Sequence, residues 1–418
     1  MKKISADLLV IGAGPGGMAA ALKAYENGVK NVLMADRLPE AGGILQQCIH
    51  NGFGLHRFKK DMTGPEFAGE YIHRISKTKI QTLYSTMAIE MTRSGKVVLA
   101  NSVDGLIEVS PKAIVLAMGC RERTRQQVWV PGTRPSGVFT AGVAQRFVNI
   151  EGYMPGKSVV VVGSGDIGMI MARRMTLEGA KVHAVTELLP YPGGLTRNVV
   201  QCLNDFGIPL YLRHNVINIY GRDRVAGVKI AKIDEAGEPT AETFDIECDT
   251  LLFSVGLIPE NELSRMVELK LNPVTGGPFI DDNYQTEREG TFICGNAAFV
   301  NDLADYVSVE AEVAGASAAE FISHGRKKNG PKVPVVAGDN MRFVAPNFIT
   351  RSDEVTLYSR VSSPMKDVII SSNGGLVRTA KQIVKPGEMI EIKLDAEKLK
   401  KIKEMKEFRI DVRKNERE

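Results

Sequence analysis

The sequence predicts an α/β protein: two Rossmann-like three-layer units, the second inserted into the first, followed by a small mainly-β C-terminal domain. Three observations carry that prediction. A short apolar strand, a glycine turn and a helical pattern occur in that order twice. The two copies match at a constant spacing of 151 residues. Beyond residue 331 the pattern becomes short alternating runs broken by Asn-Gly and Pro-Gly turns. A chain of 418 residues is also longer than one ordinary core requires, so two or three domains are expected.

The first copy starts with the apolar run Asp7-Leu8-Leu9-Val10-Ile11, followed by Gly12-Ala13-Gly14-Pro15-Gly16-Gly17 and an Ala-rich helical stretch. A second strand, Asn31–Ala35, ends in Asp36. Gly12 permits the tight turn, Gly14 lets backbone N–H groups approach a pyrophosphate, and Gly17 lets the helix pack closely on the strand. The helix then presents its positive end to the phosphates. Asp36 is placed to accept hydrogen bonds from a ribose hydroxyl pair.

The second copy runs Ser158–Val162, then Gly163-Ser164-Gly165-Asp166-Ile167-Gly168, then a strand from Lys181 ending in Glu187. Gly163, Gly168, Gly179 and Glu187 repeat Gly12, Gly17, Gly28 and Asp36 at the same spacing. One such glycine pattern is weak evidence; its repetition together with the following acid predicts two bound dinucleotides. Glu187 would repel a 2′-phosphate, and Leu188-Leu189-Pro190 behind it offers no arginine, so the second site reads as NAD. Arg197, in a loop nearby, is the cation that could alter this.

Composition narrows the alternatives. There are 53 basic and 49 acidic residues, a net charge of +4, and no basic block interleaved with aromatics, so no nucleic-acid partner is expected. In the Lys-rich segment 398–406, Leu399, Ile402 and Met405 stand three apart, which reads as a helix with one solvated face. The N-terminus imitates a signal peptide, but the glycine turn claims those residues for a fold. No apolar run approaches the roughly 18 residues of a spanning helix, so no transmembrane segment is expected. Five cysteines (48, 120, 202, 248 and 294) with no CxxC spacing suit a reducing cytoplasm and suggest no metal site.

With both fingerprints in hand, the chain resembles the two-dinucleotide flavoproteins of the pyridine nucleotide–disulfide oxidoreductase superfamily. The resemblance implies FAD at the first turn and NAD(H) at the inserted one. Ala113–Gly119 looks like the strand and turn closing the first FAD segment, and Asp249–Pro259, with Gly256, like its counterpart in the NAD domain. Cys294-Gly295-Asn296 sits where the family places a Gly-Asp pair on the ribityl and pyrophosphate; an amide replaces the acid. The resemblance implies FAD contacts at Gly12, Gly14, Pro15, Gly16, Gly17, Asp36, Arg37, Gly43, Gly119, Gly295 and Asn296. It implies NAD contacts at Gly163, Gly165, Asp166, Ile167, Gly168, Glu187 and Gly256. By the same analogy, the helix after Asp302 points its N-terminus at the flavin pyrimidine edge.

The stretch GGILQQCIHNGFG (42–54) and Ala-Met-Gly-Cys-Arg-Glu-Arg (117–123) narrow the likeness further. They are similar to the NAD/FAD-utilising subunits that accompany a second flavoprotein dehydrogenase. Those relatives include the chain that accompanies anaerobic glycerol-3-phosphate dehydrogenase. They also include the larger chains of sarcosine oxidase, opine oxidase, hydrogen cyanide synthase and proline or hydroxyproline dehydrogenases. The implied partners are a second flavoprotein dehydrogenase and a separate iron–sulfur or Cys-rich small subunit. The implied location is cytoplasmic, peripheral to a membrane through a partner.

Cys48 decides the chemistry. Disulfide reductases need two thiols about five residues apart beside the flavin, and here the next cysteine is Cys120. A lone Cys48 could cycle through sulfenic acid with His50 assisting, or the segment could be a flavin-facing wall whose glycines allow close backbone approach. The wall is the favoured reading, with His50 either facing the flavin or satisfied structurally.

The expected domains are 1–123 with 272–330 for FAD, 124–271 for NAD, and 331–418 for the β domain. The last follows a Gly, Pro and Lys-rich break at Gly325–Pro334. It has an Asn373-Gly374 hairpin signal, a helix near 395–406, and a role as partner dock or packing cap.

Overall fold

A computed structural model describes residues 1–325 and 332–415. It divides into two compact units: Met1–Cys120 with Pro259–Glu418, and Arg121–Ile258. The inserted unit therefore runs Arg121–Ile258, where residues 124–271 were expected. The reason lies in the core of the first unit, where Leu263, Val267 and Leu269 are buried. Asn261 anchors them by donating from Nδ2 to Gly276 O (3.1 Å) and Ala297 O (2.9 Å). The expected boundary at residues 330/331 lies outside the described residues.

The first unit is built on five parallel strands in the order Thr291–Ile293, Ala113–Leu116, Leu8–Ile11, Val32–Ala35 and Gln81–Leu83. The three central runs are apolar on every residue because both faces are covered. Helices Pro15–Glu26 and Ala304–His324 pack on each other so closely that a Cβ on Gly315 would stand 2.2 Å from Ala20 O. A second, four-stranded sheet contributes Met91, Val97, Leu99, Ile107 and Val109 to the same core.

The inserted unit repeats the plan with Val138–Thr140, Thr250–Phe253, Ser158–Val162, Lys181–Glu187 and Leu210–Leu212, again all parallel. Strand alternation sorts its valines. Val159 and Val161 join the cluster that includes Met169, Ala172 and Met175 of helix Asp166–Leu177. Val160 and Val162 join Val216, Ile219, Val228 and Ile230 of the antiparallel sheet His214–Gly221, Val225–Ile233, Pro239–Ile246. One run of consecutive valines thus holds three layers together.

The C-terminal segment is mainly β, with sheets of five and three strands around its own core. The expected hairpin is present: Met365–Ser372 and Arg378–Val384 pair antiparallel across Asn373–Gly375. The helix is Ala396–Ile402, and it buries Leu399 and Ile402 while its lysines stay outside. No helix among the described residues is long and apolar enough to cross a membrane.

Replacing Gly315 by Ala should lower unfolding free energy by about 2 kcal/mol, because the new methyl meets backbone that cannot yield. Gly69→Ala, in mid-helix with nothing within 4 Å of the added Cβ, should instead raise it by about 0.5–1 kcal/mol. Chemical denaturation of the two variants beside the parent measures both.

Candidate functional site: two phosphate turns and the Cys48 loop

At the first turn Gly12 has φ +106°, and a Cβ there would stand 2.3 Å from Ala117 O; one on Gly17 would stand 1.8 Å from Gly12 O. Gly14 differs: its Cβ would meet nothing within 4 Å, so the turn backbone faces open space there. Helix Pro15–Glu26 begins with proline, carries no side-chain cap and has no acid in its first turn. An uncapped positive helix end beside open backbone fits a pyrophosphate. Gly42 N donates to Ala13 O (2.8 Å), and a Cβ on Gly43 would approach Gly14 Cα to 3.1 Å, so the Gly42-Gly43 loop closes one side of the turn.

Asp36 is buried and already engaged. Its Oδ2 accepts from Ala13 N at 2.5 Å and its Oδ1 from Leu38 N at 2.8 Å. Glu187 does the same in the inserted unit, with Oε2 accepting from Ser164 N (3.0 Å) and Ser164 Oγ (2.5 Å), and Oε1 from Leu189 N (2.9 Å). Each acid therefore shapes its own turn before any ribose arrives, while spare lone pairs remain for hydroxyl donors. The 151-residue spacing extends to these partners, matching Ala13 with Ser164 and Leu38 with Leu189. It also matches Gly42-Gly43 with Gly193-Gly194, whose amides donate to Ser164 Oγ (2.8 Å) and Ser164 O (3.0 Å). Carrying the repeat past its glycines would have found all of them.

The second turn is more crowded than the first. Cβ atoms on Gly163, Gly165 and Gly168 would all strike Ser254, whose Oγ accepts from Gly168 N at 3.0 Å. Asp166 stands in the first turn of its helix, and its Oδ1 accepts from Leu195 N (2.8 Å) and Asn198 Nδ2 (2.5 Å), tying down the loop that carries exposed Arg197. Ile167 packs partly into the core below. This helix end already meets one negative charge, unlike that of Pro15–Glu26, so its pull on a phosphate is weaker.

Cys48 ends a 3₁₀ turn, Gly43–Gln47, and its Sγ donates to Ile44 O at 3.3 Å. Burial pushes the thiol up to about 12. The thiol is therefore held in its protonated form at neutral pH. None of the five cysteines is in a disulfide. His50 places Nδ1 at 2.9 Å from Asn51 O, so Nδ1–H is the donor, and its ring lies 5.2 Å from that of Phe53. Gly64 N donates to Cys48 O (2.8 Å), so helix Gly64–Ser76 backs the Cys48 loop.

Elsewhere in the first unit, Asn296 accepts at Oδ1 from Asn301 N (2.9 Å) and donates from Nδ2 to Cys120 Sγ (3.4 Å). Gly295 (φ +62°) and Gly119 (φ +71°) supply the left-handed turns around it. Gly256 (φ +106°), in the inserted unit, accepts from Arg123 N at 2.9 Å. Arg37 is exposed and lies 3.8 Å from Glu260. Asp305 was not anticipated. Buried in the first turn of helix Ala304–His324, it accepts from Gly54 N (3.0 Å), His56 N (3.0 Å) and Arg57 N (2.7 Å). The positive end of this helix, expected to point at the flavin pyrimidine edge, meets a carboxylate that pins the loop following Cys48. Among the described residues no group of three or more His, Cys, Asp or Glu is gathered to hold a metal.

The family described as pyridine nucleotide-disulphide oxidoreductase matches residues 6–337. The chain belongs to that family. That family binds FAD and a pyridine nucleotide, and the open face at Gly14 fits the pyrophosphate of a dinucleotide. It is 28% identical to a subunit of opine oxidase from Agrobacterium tumefaciens (strain Ach5), over 70% of this chain and 61% of that protein. It is 25% identical to HcnB, a subunit of hydrogen cyanide synthase from Pseudomonas protegens, over 67% of this chain and 61% of that protein. The chain therefore spans about three-fifths of the length of these relatives. A crystal structure of T. acidophilum thioredoxin reductase shares the fold, with a TM-score of 0.61 and 21% identity, over 76% of this chain and 98% of that one.

Alkylation of Cys48 by iodoacetamide at pH 8, resolved by peptide mapping, should run at least about a hundredfold slower than that of free cysteine. Labelling as fast as the free amino acid would show that the thiol is activated.

Proposed function

We propose that this chain is the NAD-linked electron-transfer component of a multi-subunit dehydrogenase acting on glycerol 3-phosphate or on an amine or amino acid. The observation that carries the reading is the state of Cys48: a protonated, backbone-bonded thiol with no disulfide in a family that uses dithiols. When bound, FAD accepts or releases a hydride equivalent at its ring. Without a local dithiol to receive the electrons, their exchange falls to a partner in this reading. The relatives from opine oxidase and hydrogen cyanide synthase are themselves named as subunits, which supports this.

The chain's own residues do the positioning. Asp36 and the Gly42-Gly43 loop hold the first turn around the FAD pyrophosphate, with Pro15, Gly16, Arg37 and Gly119 beside it and Gly295-Asn296 on the ribityl side. Gly163, Gly165, Asp166, Ile167, Gly168, Glu187 and Gly256 form the NAD site. The first-turn acid present at Asp166 and absent at the first helix favours a retained FAD and an exchanging NAD. His50 and the Cys48 loop form a wall beside the flavin rather than a redox relay. The proposed location is cytoplasmic, peripheral to a membrane only through the partner.

Anaerobic addition of NADH should bleach the flavin in the parent and equally in Cys48→Ser. Rapid NADH turnover under oxygen that Cys48→Ser abolishes would instead make this a stand-alone oxidase or peroxidase, and flavin that NADH never bleaches would make it an assembly subunit. NADH should be preferred over NADPH by at least about tenfold in kcat/KM, about 1.4 kcal/mol. Glu187→Gln should narrow that ratio by removing the charge that opposes a 2′-phosphate. Mass spectrometry of what co-purifies with the native protein identifies the partner.

A further inference from the structure

Two buried side-chain oxygens in the first unit have no hydrogen-bond partner: Asn301 Oδ1 and Glu310 Oε1. They belong to residues already joined by their other atoms, since Asn301 Nδ2 donates to Glu310 Oε2 at 3.3 Å. Both orphans are acceptors when Glu310 is ionised, and two acceptors cannot satisfy each other. One proton on Oε1 removes the conflict. The acid O–H then donates to Asn301 Oδ1 while the amide N–H donates back, closing a two-bond ring.

The surroundings favour the neutral form. Glu310 lies in helix Ala304–His324 and is 1% exposed. The groups facing it are Tyr284, Cys294 of the strand end before the Asn296 turn, and Tyr358 of the C-terminal sheet, all held by burial in their protonated, uncharged forms. Among the described residues no cation pairs with it. Burial accordingly pushes the carboxyl well above its ordinary range, against hydrogen bonds from Asn301 and the Gly295 backbone that act the other way.

Those two donors bracket Asn296. Gly295 opens the turn, Asn301 closes it through the bond from its N–H to Asn296 Oδ1, and Glu310 grips both ends. We propose that Glu310 is a neutral carboxylic acid in the folded protein and acts as a positioning residue, its acid–amide ring with Asn301 holding the 295–301 turn so that Asn296 meets FAD. The second half rests on the reading of Asn296 as an FAD contact; the first does not. A neutral acid there also adds no negative charge to a site that must accept electrons.

Infrared spectra of the FAD-loaded protein at pH 7.5 should contain the carbonyl stretch of a protonated carboxylic acid, and Glu310→Gln should lose it. If the Gln variant instead loses an ionised-carboxylate band, the neutral acid is refuted. Gln can form the same ring, so Glu310→Gln should keep FAD affinity within about twofold and leave the flavin midpoint potential unchanged, while Glu310→Leu should weaken FAD binding by about tenfold or more. A Gln variant that releases FAD as readily as the Leu variant, or a shifted potential in Gln, overturns the positioning role. A parent protein that takes up no FAD refutes the Asn296 reading and with it that role, and the infrared comparison still decides the protonation state.

Discussion

A buried carboxylate reaching from the end of one strand to the backbone of a glycine turn is the bond on which the shape of each turn rests. Asp36 takes the N–H of Ala13, and Glu187 takes the N–H and hydroxyl of Ser164. Charge-assisted bonds of this kind contribute about 1.5–3 kcal/mol each, and leaving a buried carboxylate without them costs at least as much. The second oxygen of each acid takes an amide two residues further on, so the same group also sets the course of the chain leaving the strand. The turn is consequently shaped before a phosphate arrives, and binding spends little on ordering it.

Acids also organise the loops around the first site. Asp305 gathers three amides from the segment after Cys48, and Asp302, three residues earlier, takes the guanidinium of Arg360 and the amide of Met389 at 2.6 Å. Tyr306 makes tilted ring contacts between these anchors, 5.6 Å from His56 and 5.7 Å from Tyr358. The C-terminal β segment thus braces the start of helix Ala304–His324, which gives it a packing role whether or not its outer surface also docks a partner.

Cysteine usage follows from this packing. Cys294 is buried near Glu310, Cys120 sits against the Asn296 amide, and Cys48 lies over the first turn of helix Gly64–Ser76, where a Cβ on Gly64 would come within 2.8 Å of it. A thiol supports redox chemistry only where its charged form is solvated or paired. Burial works against that form at Cys48 and at Cys294, and raises both thiols above their ordinary range.

The amino-acid sequence by itself determined the parts governed by local chemistry. Both glycine turns, the acids that follow them, the parallel strands beneath and the Asn373-Gly374 hairpin are dictated by backbone freedom and by periodicity within a few residues. The Gly193-Gly194 match was equally legible, being only a continuation of the repeat. Tertiary structure alone decided the rest: that the insertion ends at Ile258, that Asp36 and Glu187 serve their own turns, that Asp305 binds a loop some 250 positions away, and that Glu310 meets Asn301 without a counter-ion. The physical reason is that the burial and protonation state of a polar side chain depend on neighbours brought together through space. Spacing along the chain can propose such a residue but cannot say which donors will surround it.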